Sequence, residues 1–103
     1  MTERAKMLQQ MISDDPTDPF LHYGLAMETA KSYPAQSLEL FDQILARFPN
    51  YLPAYYQAAV LYIERKADEK AKTVLQAGIL LARGQGEMKT MGELRTLLDQ
   101  LEE

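Results

Sequence analysis

Few side chains of this 103-residue chain are equipped for chemistry, and their spacing limits what they can do. His22 is the only histidine; Asp18 is the nearest carboxylate, one helical turn away, and no Cys or second His completes a metal site. Asp14, Asp15 and Asp18 gather in a proline-rich stretch, but no Ca²⁺-binding loop with a closing Glu follows, so they read as capping acids of a turn. Gly84-Gln85-Gly86 lacks the strand-to-helix context of a phosphate loop and reads as a hinge. No nucleophile stands beside a base, and no two carboxylates share a wall. The expectation is a protein without catalytic residues, metal or cofactor.

The charge balance narrows the partners. Eleven Lys and Arg against 15 Asp and Glu give a formal net charge of −4, which repels a phosphate backbone, so nucleic acid is not expected as a ligand. The longest unbroken apolar run, Ala58 to Ile63, is far shorter than the roughly 20 residues of a membrane span. Met1-Thr2-Glu3-Arg4-Ala5-Lys6 alternates charges where a signal peptide would build its apolar run, so no membrane insertion is expected. The absence of Cys suits a reducing compartment, and the cytoplasm is the expected location. The length fits one domain, 1–103, with a modest core.

The elements that position these residues are helices. Pro16, Pro19, Pro34, Pro49 and Pro53 punctuate the chain and leave proline-free segments of helical length. Between them apolar residues recur at three and four, as in Phe20, Tyr23 and Met27, and no segment alternates as a half-buried strand does. Asp18-Pro19 is an N-cap followed by proline at the first helical position, Asp68-Glu69 puts acid on another helix start, and Gly84 marks a stop. The reading is all-α, with about six helices near 2–13, 18–31, 34–47, 52–65, 68–83 and 87–101. Loops this short make neighbouring helices antiparallel hairpins.

The chain repeats itself. Pro16 to Pro49 is 33 residues and Pro19 to Pro53 is 34. Phe20, Tyr23, Gly24 and Met27 align with Tyr55, Ala58, Ala59 and Tyr62 at a shift of 35, whereas Ser37, Phe41 and Ile44 align with Ala71, Leu75 and Gly78 at 34. One extra residue near Tyr33-Pro34 accounts for the difference. Small residues at Gly24, Ala59, Ser37 and Ala71 let helix axes approach, and large neighbours fill the flanking space: a packing code, not a catalytic one.

This pattern resembles the tetratricopeptide repeat family, whose 34-residue helix-turn-helix unit carries a bulky residue, Leu-Gly three and four later, then Tyr, Ala-x-x-x-Phe and a closing Pro. Phe20, Tyr23-Gly24, Met27, Ser37, Phe41 and Pro49 stand for these in one unit (18–50). Tyr55, Ala58-Ala59, Tyr62, Ala71 and Leu75 do so in a second (51–83), where Arg83 replaces the proline. Residues 2–13 resemble an isolated second helix and 87–101 a capping helix, whose stripe of Met88, Met91, Leu94, Leu98 and Leu101 either seals the last repeat or forms a coiled-coil seam. The resemblance implies hairpins stacked as a short right-handed α-solenoid, and a concave groove that binds extended or helical peptides.

On the first helix of each unit the face beside the packing positions is apolar where a merely solvated face would be polar. Leu21, Leu25 and Glu28 occupy it in one unit and Tyr56, Val60 and Ile63 in the other, with Glu64 at the rim. Either these residues line the groove and take an apolar anchor of a basic or neutral protein segment, or the cap or a second copy of the chain covers them. The expected function is protein–protein interaction as an adaptor. The alternative is homo-oligomerisation through the same face or the open end of the array.

Overall fold

A computed structural model describes all residues, 1–103, as six helices without strands: α1 (Glu3–Asp14), α2 (Pro19–Ala30), α3 (Pro34–Arg47), α4 (Pro53–Glu64), α5 (Asp68–Gln85) and α6 (Met88–Leu101). None is long and apolar enough to cross a membrane. Side-chain chemistry sets the boundaries. The Ala5 N–H donates to Thr2 Oγ1 at 3.0 Å at the start of α1, and the Phe20 N–H donates to Asp18 Oδ1 at 3.0 Å at the start of α2. Proline opens α2, α3 and α4 at a position that needs no N–H. Helix α5 runs through Gly84 and stops at Gly86, whose φ of 73° is the left-handed conformation glycine adopts without steric cost; the stop is two residues beyond the expected one.

The chain divides into two compact units, Met1–Tyr51 and Leu52–Glu103. In the first, α1 and α3 both pack against α2. Phe41 and Ser37 of α3 are wholly buried, and the Ser37 hydroxyl donates to the Ala26 carbonyl at 2.6 Å, tying α3 to α2. Tyr23 meets Phe41 and Tyr51 edge-on at 6.1 and 5.6 Å. A second cluster joins Ala5 and Leu8 of α1 to Leu21 and Leu25 of α2, with Ile12 and Leu40 packed against it.

In the second unit α5 packs against both α4 and α6 around Leu52, Ala59, Leu75, Ile79, Ala82, Leu94 and Leu98. At Gly78 three helices come close together. A Cβ placed on it would lie 3.0 Å from Tyr55 Cβ on α4 and 3.1 Å from Leu94 Cδ1 on α6. The turn between α4 and α5 places Lys66 at φ 62°, and the Ala67 N–H donates to the Tyr62 carbonyl at 2.9 Å to close the helix end.

The helix starts correct the repeat frame. Pro19 and Pro53 open the first helices and Pro34 and Asp68 the second, so the spacing is a constant 34 and there is no extra residue near Tyr33-Pro34. In this frame Leu21, Leu25 and Glu28 correspond to Tyr55, Ala59 and Tyr62, and all six are buried. Phe20, expected to pack between helices, is 65% exposed because it lies one position off the buried stripe of α2. Gly24 keeps a packing role, with Leu8 Cδ2 only 3.3 Å from where its Cβ would be, whereas Tyr23 and Met27 are only partly buried. The remaining packing positions, Ser37, Phe41, Tyr55, Ala58, Ala59, Tyr62, Ala71 and Leu75, are buried.

Candidate functional site

The six residues expected to line a groove fall into two groups. Leu21, Leu25 and Glu28 are largely buried, because the corrected frame turns them toward α1. Leu21 and Leu25 pack against its Ala5 and Leu8, and Glu28 is 8% exposed. The cover is therefore the N-terminal helix. Tyr56, Val60 and Ile63 retain partial exposure and form an i, i+4, i+7 row along α4, while Glu64 at its end is exposed. Tyr56 also packs against the core of its unit.

Glu28 is a buried carboxylate where the other unit has Tyr62, and it carries its own set of donors. Thr2 Oγ1 donates to Oε1 at 3.1 Å, Lys31 Nζ lies 2.9 Å from Oε2, and Arg4 Nε lies 3.6 Å from Oε2. The Lys31 ammonium above all, helped by Thr2 and the charge of Arg4, outweighs desolvation and holds the carboxyl below the usual glutamate range. Thr2 thus caps α1 and fastens it to α2 with one hydroxyl.

Two polar stripes face each other beside this contact. Thr2 at the cap of α1, Ala5 and Gln9 of α1, and Gln36, Glu39, Leu40 and Gln43 of α3 are walls of a groove of about 610 Å³, floored by Leu25, Glu28 and Thr29 of α2. Positions 36, 39, 40 and 43 share one helix face, where a core-forming helix would be apolar. Amides and an acid there keep α1 from closing onto α3. That stripe is the sequence signal of a groove that a search for apolar faces passes over.

His22 serves the fold. Its Nε2 is 2.8 Å from the Pro16 carbonyl, its ring is 5.3 Å from that of Phe48, and Arg47 donates to the same carbonyl at 3.3 Å, pinning the turn after α1 to the end of α3. Burial raises the pKa of the Tyr51 hydroxyl, with added contributions from Tyr23 and Asp18, and burial alone raises that of Tyr55.

Residues 30–93 match the sequence model of the tetratricopeptide repeat. The chain belongs to the tetratricopeptide repeat family. A solution structure of a tetratricopeptide repeat domain protein from Salinibacter ruber shares 32% identity at TM-score 0.81, covering 85% of this chain and 90% of that one. A crystal structure of a tetratricopeptide repeat domain protein from the same organism shares 31% at TM-score 0.78, covering 82% and 97%. A Bordetella parapertussis protein at 19% identity has the same fold, with TM-score 0.81 over 98% of this chain and 89% of its own. No curated protein matches the chain. Tetratricopeptide repeats generally mediate protein–protein interactions and are typically non-catalytic modules.

Proposed function

We propose that this tetratricopeptide repeat chain is a non-catalytic adaptor that binds a peptide or helix of a partner protein along the α4 row of Tyr56, Val60 and Ile63. The observation that carries the reading is the contrast within one helix. Ala54, Ala58 and Ala59 are wholly buried, while three large apolar side chains at helical spacing keep contact with solvent. Such a row matches the anchor spacing of helix recognition, and Glu64 at its end favours a basic or neutral ligand. The lack of Cys suits work in the cytoplasm.

The test pairs Val60→Glu and Ile63→Glu in one variant and compares it with the wild type in affinity capture from a native extract, with helical circular dichroism as the control for folding. Proteins retained by the wild type and lost by the folded variant support the row. Equal capture by both removes it.

A second reading, pairing of two copies through the end of the array, is favoured by Met7 and Met11, one turn apart on α1 and 63% and 43% exposed. Light scattering during size-exclusion chromatography tests it, and a strict monomer at high concentration rules it out.

A further inference from the structure

The groove between α1 and α3 lies wholly within the first unit and is separate from the α4 row. Its volume of about 610 Å³ falls within the range of roughly 300–1,000 Å³ typical of ligand sites. Its apolar lining comes mainly from the partly exposed Leu40, with the edges of Leu25 and Ala5 beside it, a place for an aliphatic side chain. Its walls offer Gln9, Gln36 and Gln43, each with a carbonyl acceptor and an amide donor, the complement of a peptide backbone.

Charge selects among peptides. No Lys or Arg side chain lines the groove, and α3 carries none before Arg47. The carboxylate of Glu28 is held by Lys31 and Arg4, but Glu39 on the α3 wall is exposed and takes part in no salt bridge. The first unit as a whole has 4 Lys and Arg against 7 Asp and Glu. The cations Lys31 and Arg4 beside this groove are engaged by Glu28, so an acidic segment would meet the carboxylate of Glu39, whereas a cationic one finds that carboxylate unpaired and flanked by amides.

We propose that this groove binds an extended, cationic protein segment, with an aliphatic side chain against Leu25 and Leu40, its backbone on Gln36 and Gln43, and a Lys or Arg on Glu39. The occupant is a basic peptide; a second copy of this acidic chain would meet unfavourable charge.

The test uses the full chain with ¹⁵N labelling and two synthetic peptides, one alternating Lys with Leu and the other Glu with Leu. The Lys peptide should shift the side-chain amides of Gln9, Gln36 and Gln43 and bind at least about tenfold more tightly than the Glu peptide, weakening as salt rises. Gln36→Lys with Glu39→Lys, both at exposed positions, should reduce binding of the Lys peptide about tenfold with circular dichroism unchanged. Equal affinity for both peptides, no binding of the Lys peptide, shifts confined to Leu52–Glu103, or the same shifts produced by raising protein concentration alone would each overturn the proposal.

Discussion

Replacing Gly78 by Ala tests whether close packing of three helices at this residue holds the second unit together. Two effects oppose each other. Alanine in a helix interior is favoured over glycine by about 1 kcal/mol. Against this, the new Cβ would sit 3.0 Å from Tyr55 Cβ and 3.1 Å from Leu94 Cδ1, inside the roughly 3.5–4.0 Å at which carbon atoms attract. Leu94 can yield by turning the end of its side chain. Tyr55 Cβ is attached directly to the α4 backbone, so relief there requires α4 and α5 to part by about half an ångström around the buried Leu75. Overpacking of this kind costs roughly 1–3 kcal/mol, and a contact fixed by backbone belongs in the upper half. The net expectation is a loss of about 1 to 2 kcal/mol after the propensity gain. At roughly 4–8 °C per kcal/mol for a chain of this size, Tm should fall by about 4–16 °C. Gly92→Ala supplies the control, since Gly92 is in α6 with nothing within 4 Å of where its Cβ would be, and it should raise Tm by a few degrees through propensity alone. Thermal unfolding followed by circular dichroism reads both variants. A Gly78→Ala protein as stable as Gly92→Ala would refute the close-approach argument.

Two further outcomes follow from the corrected frame. Phe20→Ser should leave stability within roughly 0.5 kcal/mol of wild type, since the ring is 65% exposed, whereas Leu21→Ala should cost about 2–3 kcal/mol by emptying the cluster under α1; urea unfolding that finds the reverse order would restore the shifted frame. The Glu28 carboxyl titrates below its ordinary value of 4.5, so its contribution to docking α1 is full above that pH and is lost as pH falls through the lower, folded-state value. The protection factor of the Leu8 amide, which removes the intrinsic pH dependence of exchange, should therefore fall on acidification below about pH 4.5, and Glu28→Gln should remove that dependence while leaving other acid-sensitive sites unchanged. Identical acid profiles in both proteins would take the carboxylate out of the docking contact.

The second unit was legible because its packing positions are all apolar and small or large where the repeat wants them: Tyr55, Ala58, Ala59, Tyr62, Ala71 and Leu75 are each buried. The first unit misleads by one residue for a physical reason. The true frame puts Glu28 in a core position, and a lone carboxylate there is costly enough that sequence reasoning moves to the neighbouring frame of Phe20, Tyr23, Gly24 and Met27. What makes Glu28 tolerable is Thr2, 26 residues earlier, together with Lys31 and Arg4, and a local pattern cannot show that these groups will converge. The groove was hidden for the same reason, since its walls lie on α1 and α3 and only the fold brings them to one place.

That single departure from the repeat links the two features that distinguish the first unit. In the second unit the corresponding position holds the bulky, buried ring of Tyr62, and Lys70 lies over it at 5.9 Å. A carboxylate at the same place is smaller and needs donors. It obtains them from the start of α1, which fixes where that helix docks, and it replaces an aromatic ring at the edge of the space between α1 and α3. The polar stripe of Gln36, Glu39 and Gln43 then gives α1 no apolar reason to close the remaining gap. Docking of α1 and openness of the groove beside it are two consequences of placing a charged residue where the repeat ordinarily places an aromatic one.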